Sequence, residues 1–128
     1  MNTPPIFTLC ATDMDVRDLL WWQTAPYGPH LKLYMFGMAP QDVQKPYAVW
    51  QVVGGSPESY LAGRPDTEQH TLQIDVYADS AAQSRAALAA IERAIELDCY
   101  ITRYGGESRD TETKNYRSSM DVSWHTYR

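Results

Sequence analysis

The segment HTLQIDVYADSAAQSRAALAAIERAIEL, residues 70–97, carries the clearest structural signals of this chain. Its first part alternates, with Leu72, Ile74 and Val76 on one face of a strand and polar side chains on the other. Ser80 then opens a helix, and Gln83, three residues later, is its capping-box partner. The alanine-rich sequence that follows to residue 97 lets this helix lie close on a sheet. The segment therefore predicts a strand that runs directly into a helix.

The chain before this segment begins with a predicted helical region at residues 4–22. Pro4 and Pro5 suit the start of a helix. The segment Thr12-Asp13-Met14-Asp15 resembles a second helix N-terminus, so we expect a break near residue 12. The loop at 26–30 contains two Pro and one Gly.

Short apolar runs elsewhere in the chain predict further strands. The run YAVWQVV at 47–53 is rich in β-branched and aromatic residues. In the last predicted strand, Met120, Val122 and Trp124 alternate with polar residues. With the strand at 70–78, the predicted strands are 31–36, 47–53, 98–104 and 114–127, and residues 54–69 and 105–116 are long connections that contain Gly or Pro.

The order helix, three strands, helix, two strands indicates the α+β class. We expect a mixed, largely antiparallel sheet of four to five strands with the helices packed on one face. A length of 128 residues favours one domain over residues 1–128.

The composition excludes several classes of protein. A net charge of −5 and a pI near 5.0 do not suit a dedicated nucleic-acid binder. Nothing in the sequence approaches the ~20 apolar residues of a membrane span, and the start does not resemble a signal peptide. Cys10 and Cys99 lie far apart without metal-ligand spacing, so we expect two buried free thiols. Four Trp, nine Tyr and two Phe are many for one small core, and amphipathic rings suit interfaces.

No arrangement of residues in the sequence is typical of catalysis or of cofactor binding. The three histidines have no metal-ligand spacing, and the glycine pairs lack the pattern of a phosphate-binding loop. Asp75 and Asp121 lie mid-strand, opposite the apolar stripes. They are candidates for an acid/base pair, or for an acidic sheet face that is exposed to solvent or lines a pore. We favour the second interpretation and expect neither a cofactor nor a metal.

A basic cluster surrounds the second predicted connection, and Tyr100, Tyr104 and Tyr116 lie between its members, which are Arg103, Arg109, Lys114 and Arg117. Tyr side chains there would suit stacking on bases, but neighbouring acidic residues dilute the charge. Arg and Tyr are also enriched at protein–protein hot spots. The remaining interpretation is an ordinary solvated hairpin.

Three blocks of sequence together resemble a known family. Pro46-Tyr47 opens a strand that ends in a Gly/Pro loop. The strand 73–78 runs into a Ser/Ala-rich helix. A final strand with Tyr116 and the alternation from Met120 to Trp124 follows an acidic and basic turn. Over residues 31–128 this succession resembles the tail-completion or tail-terminator proteins of long-tailed bacteriophages and prophages.

The resemblance implies a mixed sheet flanked by helices, without catalysis or cofactor. It also implies a homo-hexameric ring that closes the head-proximal end of the tail tube in the virion, after assembly in the host cytoplasm. The implied partners are further copies of the chain, the tail-tube protein and the head-completion or connector protein. DNA would pass through the lumen without specific binding, and no membrane is involved.

Several residues become candidates within this interpretation. The acidic net charge would repel DNA phosphates and favour passage through the ring. The alternatives are a small cytosolic protein-binding or adaptor module of the same fold and a small enzyme with an acidic cleft. The predicted contacts to a neighbouring subunit or to the tube are Tyr60, Arg64, Arg109 and Tyr116, and the predicted lumen-facing acids are Asp75 and Asp121.

Overall fold

The structure is a computed structural model that describes residues 3–57 and 67–127 of the chain. The helices are α1 (Ile6–Ala11), α2 (Met14–Leu20) and α3 (Ala81–Ile95). The strands are β1 (Trp21–Trp22), β2 (His30–Leu31), β3 (Leu33–Met35), β4 (Tyr47–Pro57), β5 (Thr67–Ala78), β6 (Tyr100–Arg109) and β7 (Tyr116–Tyr127).

Five strands form a mixed sheet in the order β3-β4-β5-β7-β6. Strand β3 pairs in parallel with β4, and the other neighbours are antiparallel. Ile74 lies at the centre, opposite Trp50 on β4 and Met120 on β7. Strands β1 and β2 form a separate two-stranded sheet. The predicted α+β class and mixed sheet are confirmed.

The core lies between one face of the large sheet and the helices. The predicted apolar stripe of β5 is fully buried, and α3 contacts β5 and β7. Alanines on α3 allow a close approach to the sheet, as predicted. Cys10 and Cys99 are buried free thiols, and burial raises the pKa of Cys10 to about 12 and that of Cys99 to about 11. The core includes Ile6, Val16, Leu20, Leu33, Trp50, Leu72, Ile74, Val76, Ala87, Ala90, Ile91, Ile95, Met120, Val122 and Trp124.

The helix ends follow local capping signals. The Ser80 hydroxyl accepts a hydrogen bond from the backbone N–H of Gln83 at 3.1 Å, which fixes the start of α3. Asp13 accepts in the same way from the N–H of Val16 at 3.0 Å. Asp13 is therefore the N-cap of α2, and the predicted break near residue 12 separates α2 from α1.

The predicted connections are longer than the observed ones. Strand β4 continues to Pro57 and β5 begins at Thr67, so the predicted connection 54–69 shrinks to residues 58–66. Strand β6 continues to Arg109, and the predicted connection 105–116 shrinks to 110–115. Glycines normally favour turns, but here the pairing with β7 continues past Gly105 and Gly106 with irregular register.

The helical prediction for residues 4–22 extends too far. Trp21 and Trp22 form β1, because their backbone pairs with Leu31 and His30. The predicted strand at 31–36 is likewise divided at Lys32, since β2 ends at Leu31 and β3 begins at Leu33. Pairing partners distant in sequence override the local pattern in both places.

Strands β6 and β7 approach each other so closely at Gly105 that a side chain there would collide with β7. A Cβ at this position would lie 3.0 Å from both Cβ and Oγ of Ser119 and 3.4 Å from its carbonyl oxygen. We expect Gly105→Ala to lower the free energy of unfolding by about 1–3 kcal/mol, because paired strands resist separation. Urea denaturation measures the change.

Gly54 provides the matched control, because a Cβ there would meet no atom within 4 Å. Gly54→Ala should change stability by no more than about 0.5 kcal/mol. Adding Ser119→Gly to Gly105→Ala should recover part of the loss. Equal effects of the two alanine substitutions would contradict the close approach.

Candidate functional site

The face of the large sheet opposite the helices carries Asp75 and Asp121, as the alternation predicts. Asp75 pairs with Ser119 across the two strands, and Asp121 pairs with Gln73. The two carboxylates are therefore diagonal neighbours on adjacent strands, within the reach of long side chains. We call this surface the open face.

Asp75 is held by charge-assisted hydrogen bonds within the chain. Its side chain is 9% exposed. Arg117 donates to Oδ1 from Nε at 3.1 Å and from Nη2 at 2.9 Å. Gln73 donates from Nε2 to both carboxylate oxygens, at 3.3 and 3.2 Å. The hydrogen bond to Asp75 raises the pKa of Arg117 above its ordinary value. Arg117 therefore neutralises this carboxylate inside one subunit.

Asp121 is paired more loosely. Arg103 Nη1 lies 3.7 Å from Asp121 Oδ2, with side chains that are 70% and 20% exposed, respectively. Each carboxylate thus has its own arginine, and this arrangement favours a charge-balanced surface over an acid/base pair. In residues 3–57 and 67–127, no group of three or more His, Cys, Asp or Glu side chains is placed to hold a metal ion.

Two tyrosines lie at one end of the open face. The rings of Tyr47 and Tyr77 stack with centroids 5.2 Å apart and planes 23° from parallel. Burial raises the pKa of both hydroxyl groups above the ordinary tyrosine value. The stack forms a stiff, partly apolar border beside the Asp75–Arg117 pair.

Trp22, His30 and Tyr34 form an aromatic cluster. His30 Nε2 and the Tyr34 hydroxyl are 2.7 Å apart, and the Trp22 and His30 ring centroids are 5.7 Å apart. Burial raises the pKa of Tyr34 to about 12. The Nζ of Lys32 lies 5.9 Å from the Trp22 ring centroid. Lys32 is only 3% exposed and donates to the backbone oxygen of Gln44 at 3.2 Å.

We expect Lys32→Met to stabilise the chain by about 1 kcal/mol at neutral pH, because no carboxylate in residues 3–57 and 67–127 pairs with this buried ammonium, and an unpaired buried charge is unfavourable. Burial lowers the pKa of Lys32. The folded chain therefore holds this proton less tightly than the unfolded chain, and wild-type stability should rise with pH below the ordinary lysine pKa. Urea denaturation from neutral to alkaline pH should show the gap between the two proteins closing. A destabilised variant would contradict this prediction.

Arg109 and Tyr116 form a cation–π pair where β6 and β7 meet the connecting residues. The guanidinium carbon lies 5.3 Å from the ring centroid, and the two residues are register partners. The structure therefore brings together two of the four predicted contact residues. Tyr60 and Arg64 lie outside the described residues.

The two connections leave opposite ends of the sheet. At one end β4 finishes at Pro57 and β5 begins at Thr67, which pairs with Tyr127 at the end of β7. At the other end Tyr116, the first residue of β7, pairs with both Ala78 and Arg109. A single partner at one end of the sheet therefore cannot meet both connections where they leave their strands.

Sequence reasoning missed an apolar groove at the β3–β4 side of the sheet. It has a volume of about 430 Å³ and is lined by Thr3, Pro4, Met35, Phe36, Trp50, Gln51 and Val52. Val52 and Val53 are both substantially exposed, although the sequence places them in an apolar strand. Two adjacent apolar residues break the alternation of a half-buried strand, and that was the available signal.

No helix among the described residues is long and apolar enough to span a bilayer. The model of the family described as "Tail completion protein gp17" matches residues 5–127. A solved structure titled "Virion of native gene transfer agent (GTA) particle" contains a similar chain with a TM-score of 0.73 and 16% sequence identity. The match covers 96% of this chain and 92% of that chain. A comparison with curated proteins found no match.

Proposed function

Because the chain belongs to the family of tail completion protein gp17, we propose that it forms a homo-hexameric ring that ends the tail tube. The ring would join the tube to the head-completion proteins and leave a lumen for DNA. The match of the family model to almost the whole chain carries this proposal. A location in the virion tail follows from the family, and the fold shared with a chain of a virion particle agrees with it.

The opposite ends of the sheet suit a protein with two different partners along one axis. The pair of Arg109 and Tyr116 would contact one partner, the tube or the head-completion protein. Tyr60 and Arg64, in the connection that leaves the other end, would contact the second. Arg and Tyr side chains are well suited to such contacts, because they bury large areas and still satisfy polar groups.

The open face is the proposed lining of the lumen. Asp121 would contribute negative charge there, while Arg117 offsets most of the charge of Asp75. The net charge of −5 per chain would supply the wider repulsion that keeps DNA phosphates from adhering. In this arrangement DNA slides past a hydrogen-bonded surface without a binding site.

The proposed role is structural and not enzymatic. Both carboxylates of the candidate acid/base pair hold arginines, so neither is poised to exchange a proton with a substrate. An enzyme that used these carboxylates would lose its activity with alanine at Asp75 or Asp121. A tail-completion ring needs these residues only for folding and surface charge.

Electron microscopy of tail tubes tests the proposal. A tail-tube protein from the same source would be assembled with and without the purified chain. We expect ring-shaped density of six copies at one end of each tube, and no further growth at that end. An adaptor or an enzyme would leave the tube ends bare and their growth unchanged, and that result would overturn the proposal.

A further inference from the structure

Unpaired backbone groups lie on both sides of the large sheet, along β6 on one side and along part of β4 on the other. Strand β6 is the last strand on its side, and nine of its ten residues are exposed. Although β6 carries the charged residues Arg103, Glu107 and Arg109, an edge strand of ten residues is a template for pairing with another chain. Among the described residues, no strand takes this place.

The opposite edge is only partly covered. Strand β3 pairs with β4 over Ala48–Trp50, and the N–H of Phe36 donates to the carbonyl of Trp50 at 2.9 Å. From Gln51 to Pro57, β4 pairs with β5 on one side and with no described strand on the other. Seven of the eleven residues of β4 therefore form a second free edge.

Exposed apolar side chains gather beside these two edges. A folded monomer rarely exposes several large apolar residues together without an interaction role. Beside β4 they border the apolar groove, and beside β6 they follow the end of α3. The residues are Met35, Phe36, Met38, Val52 and Val53 at the first edge, and Leu97, Tyr100 and Tyr104 at the second.

We propose that β6 of one copy of this chain pairs with the free edge of β4, residues 51–57, of the next copy. This inference rests on the proposed ring and identifies its subunit interface. The two edges are different surfaces, and a ring of identical chains requires such a heterologous contact. The sheet would then continue from one subunit to the next, and both β6 and the free part of β4 would gain a partner.

The strand directions agree with this pairing. Successive antiparallel pairs from β4 through β5 and β7 leave β6 antiparallel to β4. Rotation about an axis along the strands keeps each strand's direction. Strand β6 of one copy would therefore meet β4 of its neighbour in the antiparallel sense, which is the more stable ladder.

The positions of the side chains are also consistent with this pairing of β6 and β4. Tyr104 lies on the helix side of the sheet, since it pairs with the buried Met120 and its hydroxyl donates to Glu92 on α3. Trp50 and Val52 of the groove lie on the same side of β4. A continued sheet preserves its two sides, so Tyr104 would enter the apolar groove of the next copy.

A mixing experiment with two edge variants tests the proposal. Val52→Lys blocks the β4 edge and Tyr104→Lys blocks the β6 edge. Each variant alone should be a monomer of 14.6 kDa under conditions in which the wild type forms the ring. Mixed, they should form a dimer with one copy of each, because one good edge of each remains. Native mass spectrometry identifies this dimer, and Met14→Lys, an exposed change on α2, should leave the ring intact.

Each other outcome overturns the pairing. If both variants still form rings, the interface lies elsewhere and the proposed function stands. If one variant dimerises alone, the contact is symmetric. If the wild type is a monomer both in solution and on tail tubes, the ring itself is wrong. Where Val52→Lys does not fold, Phe36→Lys blocks the same edge.

Hydrogen exchange separates strand pairing from side-chain contact. On ring formation, outward-facing amides of Tyr100–Arg109 should exchange at least tenfold more slowly, because they gain backbone partners. Unchanged exchange in these amides within an intact ring would contradict the strand pairing.

Discussion

Replacing Arg117 with alanine should lower the free energy of unfolding by about 3 kcal/mol, because the substitution leaves the buried Asp75 carboxylate without its cation. Asp75 is 9% exposed and would keep only the hydrogen bonds from Gln73. This loss of stability lies at the lower end of the range expected for breaking a buried ion pair, since the Arg117 side chain itself is 41% exposed. Urea denaturation at neutral pH measures the loss.

Arg103→Ala is the matched control for this prediction. It removes an arginine from the same face of the same sheet, but the Arg103 side chain is 70% exposed and its pair with Asp121 spans 3.7 Å. Exposed pairs of this kind contribute less than about 1 kcal/mol. Equal losses for the two variants would show that Asp75 does not depend on Arg117.

Ile74→Ala should lower the free energy of unfolding by about 3–4 kcal/mol. Ile74 is fully buried at the centre of the sheet, between register partners Trp50 and Met120. Truncation removes buried methylene and methyl groups and leaves a cavity that rigid neighbouring strands cannot fill. The same urea titration measures this change.

Val52→Ala gives the comparison for the core substitution. Val52 lies on the neighbouring strand at an edge and is 42% exposed. The alanine variant of the monomer should lose less than about 1 kcal/mol, because its methyl groups are already partly in water. A loss at Val52 as large as that at Ile74 would place the core of the sheet elsewhere.

The elements predicted most accurately are those determined by residues that are close together in the sequence. The alternation through Leu72, Ile74 and Val76 and the cap at Ser80 are local signals, and both elements appear where they were predicted. The end of β6 was not predictable in the same way. Gly105 and Gly106 favour a turn locally, but Gly106 pairs with Ser119 of a strand further along the chain, and β6 continues past both glycines with a shift in register.

In the candidate site, too, local patterns were predictable and contacts between distant strands were not. Alternation alone placed Asp75 and Asp121 on one face, away from the core. The arginine partners of these two carboxylates depend on which residues of distant strands lie side by side. Arg117 is 42 residues from Asp75 in the chain, and sequence patterns do not give the register of strands so far apart. The groove beside Val52 arises because β3 covers only part of β4, and strand length is also decided by pairing.

The opposite exits of the two connections give a ring of such chains a top and a bottom. Turning the ring over would exchange the connection that faces the tube for the one that faces away. Only one orientation of the proposed ring would therefore fit a given tube end. The outer side would then present a surface unlike the one that faces the tube. Length control at the tail end would thus follow from the up-down asymmetry of a single sheet.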